Sequence, residues 1–364
     1  MSHSTLPTHA PGTRSLLSPE HPVEVSPSAA QHSLPELGSP GFLFFGAYRR
    51  SGTTWLTALL NANPALHIRN EGWLFNDREG SFDKWFDIER FNNWACGPES
   101  RGTWLRDISP CEAARLMRQA MLRTIYREAT VREGWKDWGR LRWCGDKTTI
   151  FYNTSIEQII DIFPADPPAP GTSRSHARFL SMVRDGRDCV VSNLFLLFRN
   201  QGWGILPDDA RTHALRAFEF HGRGMGKPVP LFNPPLLRYL MQEWIATVAG
   251  ARRAREHYAP HGGFCEVRYE DLVADTSAVL RRLYEWLGVS SEVPDDRLDE
   301  IIDSCKFENF SGGRRRGEAD QLAEWRKGVS GDWRNYFTED DKRLFKAVAG
   351  GLLVELGYEK DLDW

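Results

Sequence analysis

The stretch "YRRSGTTWLTALL", residues 48–60, sets two arginines, a serine, a glycine and two threonines directly before an apolar run. Residues of these types bind anions. Small side chains let successive backbone N–H groups approach one oxyanion, and a following helix points its positive end at the same place. The run Arg50, Ser51, Gly52, Thr53, Thr54 lacks the Gly-Lys-Ser/Thr ending of nucleoside-triphosphate loops, which weakens an ATPase or kinase reading. An ordinary helix cap is the competing explanation at this point.

Two further stretches carry anion-binding chemistry. "ARFLSMVRDGRDCVVSNLFLLFRN", 177–200, supplies Arg184, a planar fork for phosphate, and Ser192, a hydroxyl near a helix start. "EWRKGVSGDWRNYF", 324–337, adds Arg326 and Lys327 beside Gly328, where the missing side chain permits close backbone approach to a phosphate.

Elements must hold these pieces in place. "GFLFFGAY", 41–48, reads as a buried strand, and Trp55, Leu56, Leu59 and Leu60 recur at helical spacing up to the stop at Asn63-Pro64. Strand, turn and helix repeat over 177–200. A parallel α/β unit would deliver both helix starts to the carboxyl edge of one sheet. Phe264–Tyr269 reads as another strand. Helices are expected from the cap at Ser109-Pro110, over 276–289 and from Thr338 to Leu352. Segments 76–108 and 200–240 show weak periodicity and are expected to be irregular acceptor-site or lid regions. The pattern predicts one α/β domain over 41–364, with a mostly parallel central sheet flanked by helices on both faces.

Composition bounds the rest. A formal charge of -3 over 364 residues argues against a uniformly basic nucleic-acid binder and requires any anion site to be local. Cysteines 96, 111, 144, 189, 265 and 305 show neither metal-ligand spacing nor a disulfide framework, which suits reduced thiols and a cytoplasmic setting. No uninterrupted apolar segment reaches the roughly 20 residues of a membrane span. Residues 1–40, with seven prolines and four histidines, read as a disordered extension. Nothing in the sequence sets an oligomeric state.

Taken together, "YRRSGTTW", "VRDGRDCVVS" and "RKGVSGDW" resemble the sulfotransferases that use 3′-phosphoadenosine 5′-phosphosulfate (PAPS), in order and spacing from Gly46 to Trp333. The resemblance implies that Arg50, Ser51, Gly52, Thr53 and Thr54 hold the 5′ phosphosulfate, and that Arg184 and Ser192 bind the 3′ phosphate. It also implies that Arg326, Lys327 and Gly328 close over that phosphate, and that Trp55 and Phe307 flank the adenine. No metal is implied. Many relatives carry lysine where this chain has Arg50, whose very high pKa restricts it to charge stabilisation.

Where many cytosolic relatives present a histidine base, this chain has "WCGDKTTIFYN", 143–153, similar to carbohydrate-type and bacterial small-molecule members. Asp146 and Lys147 then position the acceptor or balance charge. The preferred general base is Glu71 in "LHIRNEGWLF", with Asp146 and His67 as alternatives. Trp73, Trp104, Trp143 and Trp203 are candidate pocket walls. The expected acceptor is a hydroxyl, less readily an amine, of a small-molecule, glycosylated or lipid compound. A phosphoryl-transfer enzyme and a nucleotide-binding protein without turnover are the alternatives.

Overall fold

The computed structural model describes residues 40–71, 75, 110–149, 153–164 and 177–364. Its strands are β1 (Gly41–Ala47), β2 (Leu66–Asn70), β3 (Trp143–Thr149), β4 (Ala177–Val183) and β5 (Phe264–Arg268). They form one sheet in the order β2-β3-β1-β4-β5 with every pairing parallel. β1 sits at the centre because GFLFFGA is apolar on both faces, and all seven residues are buried.

The helices are α1 (Thr53–Asn61), α2 (Pro110–Glu133), α3 (Asn153–Ile162), α4 (Gly186–Asn200), α5 (Asp208–Ala217), α6 (Pro234–Tyr258), α7 (Tyr269–Ala274), α8 (Thr276–Leu287), α9 (Asp295–Ser304), α10 (Phe307–Phe310) and α11 (Glu339–Glu355). Side chains alternate along β1 into two cores. Leu43, Phe45 and Ala47 pack with α1 and α8, and Phe42 and Phe44 pack with α2 and α3. A third cluster joins α4, α5, α6 and α11.

The connection after β1 runs to one side of it and the connection after β3 to the other. The chain therefore changes direction around β1. In such sheets a crevice opens above the carboxyl ends of the strands at this point. The strand ends at Ala47, Asn70, Thr149, Val183 and Arg268 all lie on that edge.

The expected strands and helices form, with β1 closing at Ala47 and α2 opening at Pro110. Thr338 caps α11 in a reciprocal capping box with Asp341. The 200–240 segment differs from expectation. It contains α5, whose buried residues are Ala210, Ala214 and Ala217, a stripe too small to give a strong hydrophobic signal. Asn233 caps α6 and Pro234 fills its first turn, where the absent N–H costs nothing. The 76–108 segment lies outside the described residues. No described helix is long and apolar enough to cross a membrane. Cys144, Cys189, Cys265 and Cys305 are free.

Candidate functional site

A cavity of about 430 Å³ opens at this carboxyl edge. Three separated segments meet in it: the turn after β1, Arg184 with the face of α4 from Ser192 to Asn200, and the run 324–329.

The turn after β1 is anchored from below. Tyr48 is buried, with its hydroxyl donating to the Leu240 carbonyl (3.2 Å) and accepting from Asn193 Nδ2 (2.8 Å). Arg50 then takes φ +66° and Gly52 φ +92°. A Cβ on Gly52 would stand 2.6 Å from the Tyr269 ring, so glycine is required both by conformation and by space. Gly52 is the N-cap of α1 and no side chain caps the helix. Its first-turn N–H groups have no intrahelical acceptor and border the cavity through Thr53 and Thr54.

Three arginines, Arg50, Arg184 and Arg326, line the same cavity. Arg50 Nε donates to Ser192 Oγ (3.2 Å), and another of its nitrogens donates to the Glu324 carbonyl. Arg184 donates to the Arg50 carbonyl (2.7 Å) and the Val329 carbonyl (2.9 Å). Burial, reinforced by the positive charge of Arg184, lowers the Arg50 guanidinium to about 10. It remains charged at neutral pH, in a setting that an anion would relieve. The Nε atoms of Arg184 and Arg326 are buried without a hydrogen-bond partner.

The α4 turn that carries Arg184 also fixes the 326–333 segment. Asp188 accepts from the backbone N–H groups of Gly331 (2.6 Å) and Trp333 (2.9 Å), and lies 3.8 Å from Arg184. Asp332 in turn accepts from Arg326 (2.5 Å) and Lys327 (2.6 Å). Burial alone would raise the Asp332 carboxyl; the bonds from Lys327 and Arg326 outweigh it and hold it below its ordinary value. Gly328 has φ +69°, and a Cβ there would lie 2.8 Å from the Phe307 ring.

Trp55 and Phe307 both line the cavity. Trp55 Nε1 donates to the Cys305 carbonyl (2.8 Å), and Tyr269 packs edge-on to its ring at 6.5 Å. Tyr269, expected only as the end of a strand, lines the cavity and stacks under Arg184 at 4.3 Å. Arg49, beside Arg50 in the first motif, also lines it, as do Trp325 and Arg316.

At the opposite end stands Glu71. The chain leaves β2 there with φ +56°, pinned by its N–H to the Lys147 carbonyl (2.7 Å). Lys147 Nζ donates to Glu71 Oε1 (2.5 Å) and Thr149 Oγ1 to Oε2 (3.3 Å). Lys147 is buried, whereas the Glu71 side chain is 35% exposed.

Three expected residues do not border the cavity. Ser51 is buried against Cys189 Sγ at 3.6 Å. Strand alternation puts Asp146 on the opposite face of β3 from Lys147 and Thr149, where Thr148 donates to it. His67 is buried under α2, bonded to Thr130 Oγ1 (2.8 Å) and Glu133 Oε2 (3.2 Å). Trp143 and Trp203 pack in cores, and Trp73 and Trp104 lie outside the described residues.

A family model described as a sulfotransferase domain matches residues 43–357. A flavonol sulfotransferase-like protein of Flaveria bidentis is 31% identical over 197 residues, covering 50% of this chain and 58% of that protein. The match thus spans less than two thirds of that relative. Sulfotransferase 2A1 of Mus musculus is 25% identical over 224 residues, covering 58% and 70% respectively. The crystal structure of mouse sulfotransferase SULT7A1 complexed with PAP aligns with 89% of this chain and 92% of its own, at 16% identity and a TM-score of 0.45. These plant and animal relatives do not narrow the chain to the carbohydrate-type and bacterial members that its acceptor-side motif resembles.

Proposed function

The chain belongs to the sulfotransferase domain family, and from that premise we propose that it transfers a sulfuryl group from PAPS to a hydroxyl of a small-molecule, glycosylated or lipid acceptor. The observation that carries the reading is the convergence of Arg50, Arg184 and Arg326 on one cavity, with Ser192 bonded to Arg50. The lowered pKa of Arg50, caused by burial and by the charge of Arg184, is what a ligand with several negative oxygens would correct.

PAPS, when bound, supplies the activated sulfuryl group. In this reading Arg50, with the N–H groups of Thr53 and Thr54, screens the 5′ oxygens and stabilises the charge that grows on the departing one. Ser51 and Gly52 shape the turn beneath them. Arg184, Ser192, Arg326, Lys327 and the Gly328 backbone hold the 3′ phosphate. Trp55 and Phe307 provide flat apolar surface for the base.

Glu71 accepts the acceptor's proton. Lys147 and Thr149 each hold one of its oxygens, which fixes the carboxylate plane. Lys147 is a positioning residue here, and Asp146, on the other face of β3, is assigned no role in this reading. Leu196 and Leu197 supply apolar wall to the same cavity.

The test is turnover. The protein is incubated with PAPS and a panel of phenols, sugar glycosides and lipid alcohols, and 3′-phosphoadenosine 5′-phosphate (PAP) and sulfated product are quantified by mass spectrometry. Product formed in proportion to PAP supports the reading. Turnover of ATP with magnesium, and none of PAPS, would replace it with phosphoryl transfer.

A further inference from the structure

Arg316 was assigned no role above, yet its guanidinium lies 4.6 Å from the centre of the Trp55 ring and 5.9 Å from that of Phe307. Trp55 is only 5% exposed and Tyr269 and the core cover its surroundings, so one face at most borders the cavity. Arg316 stands over it. A purine stacking on Trp55 would need the space that the guanidinium fills, since a stacked pair also sits within a few ångströms.

We propose that Arg316 is the specificity-determining residue of the base slot: its guanidinium competes with a planar base for the ground between Trp55 and Phe307. The inference rests on the nucleotide reading of the cavity.

The loop is built for a side-chain exchange at this position. Arg314, two residues earlier, donates to the carbonyls of Ser311, Glu318, Trp325 and Arg326, which ties the backbone down. Gly317 N–H adds a bond to the Lys327 carbonyl (2.9 Å). Arg316 itself is held by one hydrogen bond, to the Gly328 carbonyl (3.0 Å), and pairs with no carboxylate among the described residues. Rotation about its own side-chain bonds clears the slot while the backbone stays fixed. The contact it gives up is a cation–π stack, and a ligand must offer a comparable surface to displace it. A ligand with phosphates but no base leaves Arg316 where it is, so the cost of displacing Arg316 falls only on ligands that carry a planar base.

The experiment is calorimetric titration of the full chain, its Arg316→Ala variant and its Arg316→Lys variant with PAP and, separately, with inorganic pyrophosphate. Arg316→Ala should bind PAP about three- to thirtyfold tighter, the worth of the lost stack. Its pyrophosphate affinity should stay within about twofold of wild type. Arg316→Lys, whose ammonium lacks the flat face, should fall between. Equal PAP affinity in all three proteins overturns the inference and leaves the nucleotide reading standing. Weaker PAP and pyrophosphate binding in parallel makes Arg316 a phosphate ligand and also overturns it. Failure of every folded protein to bind PAP removes the nucleotide reading, and the inference with it.

Discussion

The two ends of the cavity are built on different principles. At the phosphate end, Arg50, Arg184 and Arg326 come from three segments far apart in sequence, and each is braced by backbone carbonyls or a buried carboxylate. At the acceptor end, Glu71 is half-exposed on a left-handed residue, and its order comes from Lys147 and Thr149 on one neighbouring strand. Binding a multiply charged ligand demands many fixed cations, which only long-range packing can hold together against their mutual repulsion. Moving one proton demands one oriented carboxylate with room for a partner. Redundancy belongs to the first end and a single point of failure to the second.

Substitutions should separate the two ends. Glu71→Gln keeps the shape and removes the base, so turnover should fall by about 10²–10⁴ while PAP affinity stays near wild type. Steady-state kinetics paired with calorimetry measures both, and a large loss of PAP affinity would erase the distinction between the ends. Arg184→Ala strikes the other side. It strips the Val329 and Arg50 carbonyls of a donor and leaves Asp188 buried without its cation, so PAP affinity should drop by about 10².

Smaller effects sharpen the contrast. Gly328→Ala forces a Cβ to 2.8 Å from Phe307 on a left-handed residue, which should weaken PAP binding about tenfold. Its effect on the response to acceptor concentration should be slight. Asp332→Asn tests the bracing by pH. A carboxyl held below its ordinary value lends stability that is present above the unfolded pKa and lost as pH falls through the folded one. Wild type should therefore melt above the variant at pH 7, by a difference worth about 1 kcal/mol, and the gap should close in strongly acid solution. A gap that persisted there would mean that Asp332 acts through packing rather than charge.

Much of the fold was legible because its signals are local. The apolar strands 41–47 and 177–183, each followed by a small or charged turn and a periodic helix, reveal the parallel units that bring two helix starts to one edge. The same contiguity made Arg50, Arg184 and Arg326 visible. Asp146 was misplaced despite a usable signal, since period-two alternation puts it and Lys147 on opposite faces. α5 was hidden because alanines at helical spacing resemble surface composition. Tyr269, Asp188, Asp332 and Arg316 act through partners 5 to more than 200 positions away, and no local pattern encodes that meeting.

The most direct test of the central claim is calorimetric binding of PAP against 5′-AMP and ATP. A strong preference for PAP, abolished in Arg184→Ala, is predicted, because only PAP offers a 3′ phosphate to Arg184, Ser192 and Arg326. Equal affinity for the three nucleotides, or no binding by folded protein, would contradict the assignment of this cavity to a 3′-phosphorylated nucleotide.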